Sequence, residues 1–242
     1  MITVDGVWMR YGRGPMVLRG VDAELAPGTV TVVLGENGCG KSTLLRIAAG
    51  ITAPSAGAVR GRPPTASYLP ERFPDQLRLS ARAYLRHFAR IRRLPIQNAQ
   101  PAQNGQATQD ALLARLGFAG DLDQPMSELS KGNAQKVGIT QTFAAMDGFL
   151  VLDEPWAGLD VAARAVLSDL VHEAVEAGVT VLVTDHTGAG AKLPGATVHL
   201  MTEGRLRPEA TVGFVELVVT CTSEAVDQVA QLPGVQSVRR MV

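Results

Sequence analysis

The stretch GENGCGKST, Gly35 to Thr43, decides how this chain is read. Glycines at 35, 38 and 40 surround Lys41, and the hydroxyl pair Ser42-Thr43 follows. The stretch fits G-x-x-x-x-G-K-[ST], with Gly35, Gly40, Lys41 and Ser42 in the fixed places. Before it, TVTVVL (Thr29 to Leu34) is a β-branched run suited to a buried strand. After it, STLLRIAA (Ser42 to Ala49) reads as a helix that Gly50 stops. Glycines at such a junction let the backbone N–H groups of residues such as Glu36, Asn37, Gly38 and Cys39 converge on one anion. The helix N-terminus adds partial positive charge there. Lys41 can reach β- and γ-phosphates, and the Ser42 hydroxyl can ligate Mg²⁺. The loop specifies a nucleoside triphosphate and leaves the reaction open.

A second site lies in LVLDEP. Four apolar residues run into Asp153, with Glu154 and Pro155 next. An Asp at the carboxyl end of a buried strand stands where open α/β sheets bind ligands. Asp153 can hold the Mg²⁺ shell, and Glu154, pointing elsewhere, can polarise an attacking water.

Elements on either side follow an alternating order. FLVLD (Phe149 to Asp153) and TVLVTD (Thr180 to Asp185) read as buried parallel strands joined by a helix over Val161–Glu176. Tyr68-Leu69 ends another strand. Ser80 to Leu94 is a helix capped by Ser80, with Ala83, Tyr84, Phe88, Ile91 and Leu94 on its apolar side. Helices resume at Gln109–Leu116 and Asn133–Met146. Strands alternating with helices imply an α/β fold with a mostly parallel sheet. The helical stretch from about 80 to 146 interrupts the alternation and reads as an inserted subdomain. Pro95–Gln109, rich in Gln, Asn, Ala and Pro, reads as a surface insertion. Residues 208–242 read as a small strand–helix–strand tail.

Composition narrows the classes. The chain has 242 residues, and 23 Lys plus Arg balance 23 Asp plus Glu. Zero net charge argues against a dedicated nucleic-acid binder. No run reaches the length of a membrane span, and the N-terminus lacks a signal-peptide pattern. The two cysteines, Cys39 and Cys221, form neither a disulfide framework nor a metal spacing. Arg72, Arg78, Arg82, Arg86, Arg90, Arg92 and Arg93 crowd positions 72–94 against one acid, Asp75. Those spaced four apart share a helix face. That face is either solvated or meets acidic headgroups or an acidic segment of a membrane partner.

ELSKGNAQK, Glu128 to Lys136, separates the remaining possibilities. Here the chain resembles the ATP-binding cassette (ABC) family, specifically the ATPase subunit of a transporter of drug or export type. Members carry a signature close to L-S-G-G-Q before a helix; this chain has Leu129, Ser130, Lys131, Gly132 and Asn133. The resemblance covers residues 1–207 and implies a P-loop NTPase core, an antiparallel β subdomain and the helical subdomain. It implies that Ser130, Lys131, Gly132 and Asn133 close on ATP held by a second cassette, identical or homologous. It also implies that Tyr11 stacks on adenine, with Trp8 as competitor, and that Glu71 contacts Mg²⁺ in a loop that usually carries Gln. Leu159 and Asp160 resemble the loop that crosses the dimer interface. His186 matches the histidine that reads the γ-phosphate, beside Glu154 as the second catalytic residue. Mg²⁺ would then be held by Ser42, Glu71 and Asp153. Integral membrane permease subunits are the implied partners, and the cytoplasmic face of the membrane the implied location, with no nucleic acid expected. The alternatives are a soluble cassette ATPase acting on DNA or the ribosome, and a small-molecule kinase using the same loop. The kinase would not need the signature and the histidine in this order.

Overall fold

The computed structural model describes residues 1–71, 77–92, 109–146, 148–186 and 188–208. The expected tail apart from Pro208, the Pro95–Gln109 insertion apart from its last residue, and Arg72, Asp75, Arg93 and Leu94 lie outside them.

Nine strands form two sheets within the described residues. β1 (Ile2–Arg10) is flanked by β2 (Met16–Leu25) and β4 (Ala56–Arg60), both antiparallel to it. In β1 the core-facing residues are Ile2 and Val4, then Val7 and Met9. That change of parity coincides with a register shift between Val4 and Val7, where Gly6 takes φ 53°. A bulge there returns the apolar side chains to the core face after one extra residue.

The larger sheet runs in the order β5 (Ser67–Leu69), β6 (Phe149–Asp153), β7 (Thr180–Thr184), β3 (Val30–Leu34), β8 (Thr197–Thr202) and β9 (Arg205–Pro208). All neighbours are parallel except β8 and β9. Its central strands are buried on both faces, so they read as continuous apolar runs. Val32, Leu150, Leu152, Val181 and Val183 enter a core shared with α2 (Ala81–Ile91), α3 (Gln109–Arg115), α4 (Lys131–Ala144) and α5 (Val161–Glu176). Val33, Phe149, Val151 and Leu182 enter a second core with α1 (Lys41–Ala48) and the antiparallel sheet.

Two expectations change. The stretch between Asp185 and the tail, given no element from the sequence, holds β8, parallel to β3. This strand buries only His199 and Met201 among its six residues, so its apolar signal is faint. The apolar side of α2 is Ala81, Tyr84, Leu85 and Ala89, with Phe88 at its margin; Ile91 is 60% exposed. Ser80 caps that helix as expected, accepting from the Ala83 N–H at 3.2 Å. The arginine face is partly neutralised by acids distant in sequence. Arg82 makes a two-pronged pair with Asp123 at 2.8 and 3.2 Å, and the charges of Asp110 and Asp121 lie near it.

Candidate functional site

Parallel strands carry their loops at the carboxyl edge of the sheet, and three such ends meet here. The first, after β3, is the glycine loop. Gly35 has φ 148°, and a Cβ there would stand 2.4 Å from the Met201 carbonyl oxygen of β8. Gly40 has φ 114° and caps α1 in a conformation that L side chains rarely adopt. The β8–β9 turn clamps the loop: the Gly204 N–H donates to the Cys39 carbonyl at 3.1 Å, and the Gly204 carbonyl accepts from the Arg19 N–H at 2.8 Å. Glu36, Asn37 and Gly38 form the exposed tip. Lys41 is buried, and its ammonium donates to the Gly35 and Glu36 carbonyls at 2.7 and 3.0 Å.

The second end carries Asp153 and Glu154. Asp153 is fully buried; its Oδ1 accepts from the Thr184 hydroxyl at 2.8 Å and its Oδ2 from the Tyr68 hydroxyl at 3.5 Å. Burial pushes this carboxyl above its ordinary range, opposed by hydrogen bonds from Thr184 and Ser42; the charge of Glu71 raises it further. Glu154 takes φ 51°, which costs a non-glycine residue about 1–3 kcal/mol. Its N–H is anchored on the Thr184 hydroxyl at 2.8 Å. Its carboxylate contacts Nδ1 of His186, from the third strand end, and lies 3.9 Å from the Lys41 ammonium. Lys41, Ser42, Asp153, Glu154 and His186, distant in sequence, therefore share one edge.

Tyr11 and Trp8 separate. The Tyr11 hydroxyl is 3.4 Å from the Thr43 hydroxyl, whereas the Trp8 ring covers Gly20. The Arg46 guanidinium lies against the Tyr68 and Tyr11 phenols.

The signature segment is built differently. Ser130 caps α4, its hydroxyl accepting from the Asn133 N–H at 3.2 Å, and Asn133 accepts from the Ala119 N–H at 3.4 Å. Gly132 passes close to Gly158: a Cβ there would be 3.2 Å from the Gly158 carbonyl. Asp160 caps α5 through the Ala163 N–H at 2.8 Å and pairs with the buried Lys136 ammonium at 2.9 Å. Those two contacts hold the Asp160 carboxyl below its usual range, the Ala163 N–H first. Ser130, Lys131 and Asp160 are all exposed. These residues are tied to Ala119, Gly158 and α5, not to the loop at Gly35–Thr43.

Thr184, Tyr68, Arg46 and Lys136 were not singled out from the sequence. The one available signal was a hydroxyl or charge inside an otherwise apolar stretch, as at the end of TVLVT.

No group of three or more His, Cys, Asp or Glu gathers as a metal cage among the described residues. Ser42, hydrogen-bonded to Asp153, and Glu71, whose charge acts on Asp153, offer instead a partial oxygen set. That suits Mg²⁺, which keeps several waters and takes one or two carboxylates plus phosphate oxygens. A buried carboxyl with its affinity for the proton raised, and a second carboxylate near it, is a donor set that a cation fits.

Residues 18–157 match the model of the family described as ABC transporter. The cytochrome c biogenesis ATP-binding export protein CcmA of Aromatoleum aromaticum is 35% identical over 196 residues, covering 76% of this chain and 88% of its own length. The zinc import ATP-binding protein ZnuC of Paramagnetospirillum magneticum is 34% identical over 189 residues, covering 77% and 68%. The hemin import ATP-binding protein HmuV of Streptomyces coelicolor is 33% identical over 214 residues, covering 85% and 76%. In fold, the chain is similar to the solved ATP-binding subunit of an ABC transporter, with TM-score 0.72, 23% identity and coverage of 86% and 90%. A dimeric ATP-binding cassette solved with ADP and Pi gives TM-score 0.70 at 22% identity, over 88% of this chain and 100% of that one.

Proposed function

This chain belongs to the ABC transporter family, and from that premise we propose that it is an ATP-hydrolysing subunit that closes head to tail with a second cassette around ATP. Separate integral membrane subunits then convert closing and reopening into transport. The observation that carries the reading is the position of the Glu154 carboxylate, set between Lys41 and His186 at the sheet edge.

The glycine loop and the α1 N-terminus present donors to the phosphates, with Lys41 exchanging its loop carbonyls for phosphate oxygens. Ser42 and Asp153, with Glu71 near, would hold Mg²⁺, which when bound neutralises charge on the phosphates. Glu154 is the general base: its carboxylate accepts a proton from the attacking water, and His186 orients that carboxylate and faces the γ-phosphate. Tyr11, half exposed beside Thr43, serves as the adenine platform. The segment of Ser130 and Lys131, exposed, and Gly132 and Asn133, half-buried, supplies donors to the γ-phosphate of the partner's ATP, with Asp160 at the same interface. The departures at Lys131 and Asn133 leave the Ser cap and the bare Gly backbone in place.

No helix among the described residues is long and apolar enough to cross a membrane. Peripheral attachment on the cytoplasmic face, through permease subunits, follows from the transporter reading. Export is the proposed direction. The export relative CcmA is spanned over 88% of its length, against 68% and 76% for the importers ZnuC and HmuV. ATP-driven cargo uptake into inside-out vesicles supports export, and cargo release from them refutes it.

Glu154→Gln tests the core of the proposal. With Mg·ATP it should accumulate as a dimer in light scattering, and ADP should return it to monomer. A Glu154→Gln protein that binds Mg·ATP and stays monomeric, even with its membrane subunits supplied, refutes head-to-tail closure.

A further inference from the structure

We infer that Thr184 is a positioning residue of the hydrolytic site, its single hydroxyl setting both the carboxylate of Asp153 and the backbone of Glu154. The inference rests on the ATPase reading above and adds a residue to it.

Thr184 ends β7 and stands in register opposite Asp153 on β6. It is fully buried. Its oxygen accepts from the Glu154 N–H at 2.8 Å, and its proton goes to Asp153 Oδ1, also at 2.8 Å. The direction of these bonds is not free. A backbone N–H can only donate, so the hydroxyl must accept from Glu154. It has one proton, which is then committed to Asp153.

Both consequences bear on the site. With Oδ1 occupied by Thr184, Asp153 turns Oδ2 towards Tyr68, and the plane of the carboxylate is fixed. With its N–H tethered, Glu154 is kept at φ 51°, the backbone conformation from which its side chain meets His186 and approaches Lys41. His186 lies two residues beyond Thr184, so one strand end sets the register of all three groups. Two other fully buried threonines, Thr140 and Thr142, donate instead at 2.8 Å to carbonyls one turn back in their own helix. Valine at 184 would keep the shape of the side chain and leave a buried N–H and a buried carboxylate oxygen without their partner. Serine would keep both bonds.

The test compares full-length Thr184→Val and Thr184→Ser with the parent chain. It uses thermal unfolding, equilibrium binding of ATP in EDTA and in Mg²⁺, and steady-state hydrolysis. Thr184→Val should bind ATP in EDTA as the parent does, while the affinity gained on adding Mg²⁺, and kcat, each fall about 10–100-fold, the usual cost of losing a partner behind a metal ligand. KM for Mg·ATP should rise with that loss of affinity, and Thr184→Ser should restore all three quantities. Should Thr184→Val not fold, Thr184→Ala is to show the same split. Parental kcat and Mg²⁺ dependence in Thr184→Val overturn the inference, as does a Thr184→Ser as impaired as Thr184→Val. A parent chain that binds Mg·ATP without turnover defeats the ATPase reading instead. The comparison of binding in EDTA and Mg²⁺ then still decides on Thr184.

Discussion

The edge where β3, β6 and β7 end and the helical segment around α2 and α3 place ionisable side chains in opposite settings. At the edge, Lys41, Asp153 and Glu154 are buried; Lys41 donates to carbonyls of its own loop, and Thr184, from another strand, holds both acids. On the helices, Arg82 pairs with Asp123, and Arg115 with Glu173 at 2.6 Å, with side chains open to solvent. Buried charges left without partners are costly, whereas exposed pairs contribute little and are screened by salt. The difference teaches where charge is spent on function and where it only decorates a surface.

The largest effect should come from the edge. Glu154→Gln should lower turnover about 10²–10⁴-fold, the range that a positioned general base supplies, with ATP binding retained. Hydrolysis at the parental rate would erase the contrast between the regions. Gly35→Ala comes next. Its Cβ must displace the loop from the Met201 carbonyl, and a shift of that kind costs about 100-fold in kcat/KM. An active Gly35→Ala would mean that β8 does not constrain the loop.

pH then separates the regions by sign. Burial raises the Asp153 carboxyl above its unfolded value, so its contribution to stability is present at low pH and lost as pH rises through the folded value. Asp153→Asn should therefore unfold at a higher temperature than the parent at neutral pH, the gap closing below the ordinary carboxylate range, while hydrolysis is lost. Glu173 behaves in reverse. Arg115 holds its carboxyl low, so its contribution is present above the ordinary range and lost as pH falls through the lowered value. A melting series across pH 3–8 checks both signs. The smallest effect belongs to the surface pair itself. Arg115→Ala should cost no more than about 1 kcal/mol, which lowers the midpoint by about 2–4 °C in a chain of this size. A larger loss would place that pair with the edge rather than the surface.

Much of the edge was legible. The run from Val30 to Leu34, the glycines around Lys41 and the LVLDEP strand end carry their meaning within a few residues, because φ preference, β-branching and helix capping are local. The span Val161–Glu176 came out with the bounds expected of it. What failed depends on contacts between distant segments. The side of α2 was misjudged because Ile91 is apolar without being covered. β8 was missed because it buries two side chains and borrows its pairing from β3. The arginine face looked unbalanced because its acids come from far along the chain, Asp123 being 41 residues from Arg82.

The sequence by itself determined that a phosphate loop, a carboxylate strand end and a signature occur in this order, since each rests on short-range backbone preference and side-chain chemistry. Only the tertiary structure decided that Thr184 binds two consecutive acids, that Met201 roofs Gly35, and that Lys136 ties α4 to Asp160. Those contacts join residues whose separation along the chain carries no periodic mark. They exist because packing two cores against one sheet brings strand ends together, and buried polar groups then must find partners among whatever lies beside them.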